Sequence, residues 1–484
     1  MTLDLEACYR AFASRDRRFD GRFVTAVTTT RIYCRPGCPA RLPARRNVRF
    51  YACAAAAESA GFRPCLRCRP DRSPGSPPWL GTSATVARAL RLIEAGALET
   101  DGVDALAARL GVTDRWLREL FDRQLGASPL AVERTRRVHF ARRLLETTRL
   151  PIVDVAIASG FASARRLHAA VHATYRRPPR ALRAAGPSAP RGGLELKLPV
   201  RAPHDLAPVF AFLAARAIPG VERGGERRYA RTIALDGERT VLELAQAPGD
   251  TTLTLRVDAA SPRVLPRIVS RVSRLFDLGA DPIAIAATLR RDPALRRLVP
   301  RDGVRVPQAW EPFELGVRGL LGQQVSVAAA RTLAARLVAR CGVPLERPRD
   351  GLTHEFPTAA AVAAADLDGL GLTGARVAAL RAFARAVAER RLDFDGITGL
   401  DDAIATLTAL PGIGEWTAHY VAMRALGEPD AFPAGDLGVR KALADGGALP
   451  ATRAVIARAE RWRPWRAYAV IAMWTHDSNG KDRR

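Results

Sequence analysis

The chain has 484 residues, too many for one hydrophobic core, and its length implies three or four domains. It carries 75 basic against 49 acidic side chains, a formal charge of +26, and only Lys197, Lys441 and Lys481 are lysines, so the excess is arginine. That balance points to a nucleic-acid partner. No apolar run approaches the roughly 18 residues that span a bilayer, and the N-terminus lacks the basic-then-apolar order of an export signal. No membrane-spanning helix is expected, and a cytoplasmic protein is. Seven cysteines, four of them at metal-ligand spacing, suit a reducing compartment rather than a disulfide scaffold.

In chain order the first chemistry is the four cysteines. Cys34 and Cys38 stand as Cys-x3-Cys and, after 26 residues, Cys65 and Cys68 stand as Cys-x2-Cys, the spacing of a tetrahedral thiolate zinc site. A plain structural zinc knot meets the same spacing. It has no need of Arg31, Arg35, Arg41, Arg45, Arg46, Arg63, Arg67 and Arg69, which crowd these ligands and would draw a polyanion to them. Arg45 and Arg67 are the candidate DNA contacts among them. Cys8, Cys53 and Cys341 fall outside both pairs and read as small buried residues.

The stretch 23–41 (FVTAVTTTRIYCRPGCPAR), with Arg46-Asn47-Val48 and 60–65 (AGFRPC), closely resembles the N-terminal domain of the bacterial Ada adaptive-response proteins. The resemblance covers residues 1–73. It implies one zinc, structural and nucleophile-activating, and makes Cys34 both a ligand and the acceptor of a methyl group from DNA methylphosphotriesters. Metal coordination holds such a cysteine as thiolate at neutral pH, so no separate base is needed.

A Ser/Pro/Gly run over 73–78 closes this domain, and a second break over 184–193 closes the next. Between them, 104–113 (DALAARLGVT) reads as a short helix, a glycine turn and a cap for a helix over 115–123. Residues 153–163 (VDVAIASGFAS) repeat the arrangement, with Ser163 capping a helix over 164–174. One such pair is a helical hairpin found in many proteins. Two, ending in Tyr-Arg-Arg-Pro-Pro at 175–179, resemble the AraC-type DNA-binding domain over 80–183. In that motif the second helix of each unit enters the major groove. Arg115, Arg118, Arg165, Arg166 and His168 are its candidate DNA contacts here.

Segments 194–200, 229–235, 240–244 and 252–257 alternate in period two around a helix over 206–217, which predicts a small α+β domain over 194–300. From Pro307 onward strands vanish and Ala/Leu/Val helices take over, so 301–484 is expected to be all-α. Within it 410–418 (LPGIGEWTA) makes a tight hairpin whose backbone N–H groups suit a DNA phosphate. Asp436 follows 22 residues beyond Gly414. Alone, an aspartate after Pro-Ala-Gly is a helix N-cap.

Together with the hairpin it resembles the helix-hairpin-helix DNA glycosylases, whose catalytic aspartate lies at the matching place. Segments 212–217 (FLAARA), 273–278 (SRLFDL), 320–326 (LLGQQVS) and 461–468 (RWRPWRAY) narrow the resemblance to the AlkA branch, the 3-methyladenine DNA glycosylase II enzymes. That resemblance implies an aromatic base pocket of Phe212, Trp416, Tyr420 and Trp474, suited to a cationic N-alkylated purine. DNA is expected against Gln323, Gln324, Gly412, Gly414 and Thr417. Gln324 stands where known members place an apolar wedge, and Leu437 where they place an aromatic. Trp416 stands where lyase relatives carry a Schiff-base lysine, and no cysteine follows Cys341 to hold an iron–sulfur cluster.

The expected architecture is multidomain α+β: a small zinc domain, an all-α double helix-turn-helix domain, a small α+β domain and an all-α helix-hairpin-helix glycosylase domain. The expected function is repair of DNA alkylation damage. One half releases bases of the 3-methyladenine and 7-methylguanine class by base flipping, without a lyase step. The other accepts methyl groups and regulates adaptive-response transcription. Double-stranded DNA, alkylated and promoter, is the expected partner, with RNA polymerase for the regulator. A regulator with an inactive C-terminal half, and a repair enzyme that controls no promoter, are the rival readings. No Pro-Cys-His-Arg segment occurs, so direct reversal of O6-methylguanine is not expected.

Overall fold

The computed structural model describes residues 4–72, 83–183, 193–258, 261–300, 303–444 and 447–481. The two expected linkers lie outside these residues except for Gly193. No helix among the described residues is long and apolar enough to cross a membrane.

The N-terminal unit is a four-stranded sheet in the order Val48–Tyr51, Val24–Val27, Ile32–Cys34, Arg63–Pro64. The last pairing is parallel, Ile32 with Arg63 and Tyr33 with Pro64, and it sets the second cysteine pair beside the first. Phe12 of the helix Leu5–Ala13 packs with Val48 and the four cysteines.

The helical block holds the two expected units. Thr113 caps the helix Asp114–Leu125 by accepting from Trp116 N at 3.2 Å, and Ser163 caps Ala164–Tyr175 by accepting from Arg166 N at 3.2 Å. The turns before them place Gly111 at φ 68° and Gly160 at φ 71°, the left-handed region that glycine enters without Cβ strain. The helix Pro129–Thr147 joins the units.

A five-stranded antiparallel sheet follows in the order Gly193–Pro199, Thr252–Asp258, Glu238–Ala245, Arg228–Leu235, Glu222–Gly225. Four of these strands follow the alternation in the sequence. The fifth, Glu-Arg-Gly-Gly, carries no apolar pattern and is held by its neighbour. A Cβ at Gly224 would lie 2.3 Å from Ala214 Cα, so glycine lets the helix Ala207–Arg216 press against this edge.

The region expected to be all-α contains a two-stranded hairpin, Val343–Arg349 with Leu352–Glu355. Asp350 (φ 50°) and Gly351 (φ 81°) turn it, a signal present in the sequence as Asp-Gly. The strands themselves are polar and proline-bearing, and tertiary contact holds them. Thr353 N and His354 N donate to Gly220 O at 2.8 and 3.0 Å, fastening the hairpin to the larger sheet's side. The remaining helices form two apolar clusters, one uniting Ile285 and Leu289 with Trp462 and Met473, the other uniting Leu320 with Phe383 and Val421.

Buried polar contacts lock the units together. Arg22 pairs with Asp281 at 2.5 and 2.8 Å, and Arg201 donates to Asp20 O at 2.7 Å, joining the cysteine unit to the C-terminal half. Glu58 accepts from Tyr33 and Thr135 hydroxyls at 2.9 and 2.8 Å, and Asp71 meets Arg142 at 2.9 Å, joining it to the helical block. Glu428 takes both Arg88 and Arg91, at 3.2 and 3.4 Å.

Candidate active site and cysteine centre

Asp436 is the N-cap of the helix Leu437–Leu443, its Oδ1 accepting from Val439 N at 2.9 Å. The same carboxylate accepts from Trp474 Nε1 at 2.9 Å on Oδ1 and from Trp416 Nε1 at 2.8 Å on Oδ2. Cap and polar centre are thus one residue. Trp416 and Tyr420, one turn apart on the helix Glu415–Arg424, stack with centroids 5.3 Å apart and planes 7° apart. Trp474 leans on Tyr420 from the last helix at 6.2 Å. A Cβ at Gly438 would stand 3.2 Å from Trp474 Cδ1, so a glycine there opens the approach of that indole.

These residues face a cavity of about 370 Å³, whose wall also includes Arg216, Arg318, Arg331 and Arg424. Phe212 is not on that wall. It is buried with the guanidinium carbons of Arg216 and Arg424 over its ring, at 3.7 and 4.8 Å. Its cation–π partners in this structure are the protein's own arginines. The pocket aromatics that remain are Trp416, Tyr420 and Trp474.

The hairpin before this helix needs Gly412: its φ is 77° and a Cβ would fall 2.3 Å from that of Ala379. Gly414 has open space, and its exposed backbone begins the helix Glu415–Arg424. Gln323 Nε2 donates to Gly412 O and to Thr417 Oγ1, both at 2.9 Å. Thr417 is only 2% exposed, so it does not face DNA as expected; it tethers Gln323 to the hairpin. Gln324, by contrast, is exposed in left-handed backbone at φ 55°, beside the cavity residues Gly322, Val325 and Ser326.

At the other centre the parallel strand pairing gathers Cys34, Cys38, Cys65 and Cys68, all buried, with sulfurs within 4.8 Å of one another. Zinc–sulfur bonds of about 2.3 Å in a tetrahedron set sulfurs about 3.8 Å apart, so the donor set fits zinc. Burial does not single out Cys34, which at 6% exposure lies between Cys38 and Cys65. Of the surrounding arginines, Arg35 is taken by Asp20 at 3.0 Å, and Arg69 by Glu146 at 3.2 Å. Arg31 lies over Phe62 and Arg45 over Tyr9, the latter also pairing with exposed Glu6 at 3.2 Å. Arg41, Arg46 and Arg67 are exposed, with no acidic partner among the described residues. On the helical block Arg115, Arg118, Arg165, Arg166 and His168 are all exposed on the second helices of their units. Arg115 and Arg118 make only surface pairs, with Glu119 at 3.0 Å and Asp114 at 3.6 Å.

Known families match in the same order. "Metal binding domain of Ada" matches residues 7–71, a helix-turn-helix domain 106–185, "AlkA N-terminal domain" 195–311, and "HhH-GPD superfamily base excision DNA repair protein" 317–467. Over 479 residues the chain is 46% identical to the "Probable bifunctional transcriptional activator/DNA repair enzyme AlkA" of Mycobacterium tuberculosis, covering 98% of this chain and 96% of that protein. The chain belongs to this bifunctional AlkA family. Its C-terminal part is 36% identical over 275 residues to DNA-3-methyladenine glycosylase 2 of Escherichia coli, covering 56% of this chain and 94% of that one. The solved 3-methyladenine DNA-glycosylase of Archaeoglobus fulgidus superposes with a TM-score of 0.50 at 26% identity, over 59% of this chain and 98% of that one.

Within this AlkA family member the sequence reading overlooks Arg216, Arg424 and Gly438. Arg216 stands in the 212–217 segment, but an arginine in so arginine-rich a chain carries no signal of its own. Gly438 follows Asp436 by two residues, and a small residue so near a functional aspartate is the one available clue.

Proposed function

We propose that this protein repairs DNA alkylation damage in two ways. Its C-terminal half hydrolyses the N-glycosidic bond of bases of the 3-methyladenine and 7-methylguanine class. Its N-terminal half takes methyl groups from DNA methylphosphotriesters and so regulates transcription.

The observation that carries the first activity is Asp436, with both carboxylate oxygens held by N–H donors on the wall of an aromatic cavity. These donors fix the direction of the carboxylate. A damaged nucleotide flipped from the duplex places its base beside Trp416, Tyr420 and Trp474 and its sugar near Asp436. As the C1′–N bond breaks and its electron pair leaves with the base, the carboxylate stabilises the positive sugar. Water then bonds to C1′ and its proton passes to the medium or the base. Trp416 offers no amine for a Schiff base, so the reaction ends at hydrolysis. Gly412, Gly414, Gln323 and Gln324 form the DNA-facing rim in this reading.

Cys34, Cys38, Cys65 and Cys68 would hold one zinc, which when bound supplies thiolates at neutral pH. Cys34 Sγ forms a bond to the methyl carbon as the methyl–oxygen bond of the phosphotriester breaks, and the phosphodiester leaves as an anion. A thioether does not return its methyl, so each chain acts once. Loss of one thiolate charge lowers repulsion toward DNA phosphates and tightens this half on promoter DNA. Arg41, Arg46 and Arg67 hold phosphates there, and Arg115, Arg118, Arg165, Arg166 and His168 meet the grooves. RNA polymerase is the further partner of this activator, and the cytoplasm, where thiols stay reduced, its compartment.

Asp436→Asn tests the central claim. The variant should bind DNA yet release 7-methylguanine at least a hundredfold more slowly under single-turnover conditions, about 3 kcal/mol. Its remaining oxygen can keep the Val439 and Trp474 donors, but its amide faces the Trp416 N–H, so Trp416 must shift. A rate within about threefold of the unmodified protein would remove Asp436 from the chemistry.

A further inference from the structure

A second cavity, also of about 370 Å³, lies between the helix-turn-helix block and the C-terminal half. Two helices from distant parts of the chain face it with arginines. Arg88 and Arg91 stand three residues apart on the helix Ala84–Glu94, and Ser270, Arg271 and Arg274 share one face of the helix Leu265–Leu275. The whole wall carries six arginines against three carboxylates, Asp101, Asp395 and Glu428. Glu428 must serve both Arg88 and Arg91, at 3.2 and 3.4 Å, and Asp101 is exposed and meets none of the six. Arg109 pairs with Asp395 at 3.3 Å, Arg271 with Glu311 at 2.5 Å, and Arg267 with Asp236. Arg274 is left over. It makes no ion pair or hydrogen bond among the described residues, and its Nε is buried without an acceptor. Burial, then the neighbouring Arg271 and Arg91, bring its guanidinium down to about 10, against Asp395 and Glu94, so it stays charged at neutral pH.

Guanidiniums brought together across a poorly solvated gap repel one another, and one buried without an acceptor is costly in itself. An anion between the two helices removes both costs. A carboxylate offers oxygens in one plane, whereas a phosphate offers them tetrahedrally and can meet forks that approach from two sides. The half-buried Phe394, with Leu92, gives the rest of the wall an apolar surface suited to a ring. DNA on the Gly412–Gly414 hairpin lies elsewhere. That hairpin starts the ten-residue helix Glu415–Arg424, and the cavity residues Ala425, Leu426 and Glu428 follow its far end, about 15 Å away at 1.5 Å per residue.

We propose that this cavity binds a small phosphate-bearing anion, inorganic phosphate or the phosphate group of a nucleotide, with Arg274 as its principal donor and Arg271, Arg88 and Arg91 around it. The Ser270 hydroxyl, one turn before Arg274 on the same wall, is a further donor to a phosphate oxygen. Bound there, the anion bridges the helix-turn-helix block to the α+β domain and supplies the charge that the protein's own carboxylates do not.

The test titrates ADP into the full, zinc-loaded chain at about 0.15 M salt, where charges beyond about 8 Å are screened. ADP should bind, inorganic phosphate should displace it, and adenosine should not. Arg274→Gln should weaken ADP binding about tenfold or more, the scale of one lost charge-assisted hydrogen bond. Arg453→Gln removes the same charge from an exposed position elsewhere and should change it less than twofold. Thermal unfolding separates a ligand-binding arginine from a scaffold one. Because Arg274 is unpaired, Arg274→Gln should unfold at no lower temperature than the unmodified protein when no ligand is present, and ADP should raise the midpoint of the unmodified protein alone. Ser270→Glu, which places a carboxylate one turn from Arg274, should raise the ligand-free midpoint and abolish ADP binding, and it serves if Arg274→Gln does not fold. Absence of ADP binding to the unmodified chain overturns the proposal, as does an affinity equal within about threefold in both cavity variants, or an equal loss in Arg453→Gln. An undamaged duplex should bind Arg274→Gln as well as it binds the unmodified chain. A fall in duplex affinity without ADP binding would assign these arginines to the DNA backbone and overturn the proposal too.

Discussion

Asp436 and the four cysteines handle negative charge in different ways. Asp436 takes N–H donors from Val439, Trp416 and Trp474, three groups built into the chain. The sulfurs of Cys34, Cys38, Cys65 and Cys68 lie within 4.8 Å of one another, and the backbone donors to them are Ala40 N on Cys38 Sγ at 3.5 Å and Cys68 N on Cys65, among the described residues. A carboxylate so placed has its hydrogen-bond partners in the bare protein. Four thiolates so placed repel one another in a poorly solvated site and need a cation among them. One centre is complete when the chain folds, and the other is completed from outside.

The largest expected effect follows from that contrast. Structural zinc contributes on the order of 10 kcal/mol to the folding of small cysteine domains. A strong chelator should therefore erase hydrogen-exchange protection in Val24–Val27 and Val48–Tyr51 while protection in Glu415–Arg424 persists. Equal persistence of both would break the comparison.

A smaller effect probes the complete centre. Trp474→Phe keeps a tilted ring against Tyr420 but deletes one N–H donor to Asp436. Hydrogen bonds to charged groups are worth about 1.5–3 kcal/mol, so single-turnover release of 7-methylguanine should slow by roughly tenfold to a hundredfold. Methyl uptake by the cysteine half should not change, and a parallel loss there would mean that the two centres are not independent.

Acidification should move the two halves in opposite directions by the smallest margin. Burial pushes the Asp277 carboxyl up to about 6, against Arg305 and the Val306 N–H that lower it. A folded-state value above the unfolded one means that the folded state binds the proton more tightly, so this contribution to stability grows as pH falls through 6. Between pH 7 and pH 5 the gain is on the order of 1 kcal/mol. His419, which burial holds below its ordinary value, is protonated more readily in the unfolded chain and offsets part of that gain, whereas Asp292 does not interfere in that window. Burial raises its carboxyl, but donors from Arg458 and Trp462 more than offset this and hold it at about 2, so its share is lost only in stronger acid. The cysteine half should weaken over the same range as protons compete with metal for sulfur. Urea midpoints followed separately in each half, at pH 7 and pH 5, would show the divergence or deny it.

Much of the fold is legible in short stretches because its causes are local. The Gly-x-Thr and Gly-x-x-Ser turns announce the two helix caps, since a glycine in left-handed backbone followed by a hydroxyl acceptor is satisfied within a few residues. Period-two alternation finds four strands of the five-stranded sheet and misses Glu222–Gly225, whose place depends on its neighbour and on the close approach of Ala214. The hairpin Val343–Arg349 with Leu352–Glu355 escapes because its strands are polar and its support comes from Gly220.

By itself, then, the sequence determined the order of the domains, the four sulfur donors, the helix-turn-helix caps and the Gly-hairpin-to-Asp436 spacing, each a pattern carried by residues close together or by distinctive residue types. Tertiary structure alone decided what the less distinctive residues do. It set Phe212 under two arginines and buried Thr417 against Gln323, 94 positions away. It also left Arg216 and Arg424 on a cavity wall without acidic partners among the described residues. Arginine is so common in this chain that its role is set by which carboxylates and rings lie within a few ångströms, and those neighbours come from distant segments that only folding brings together.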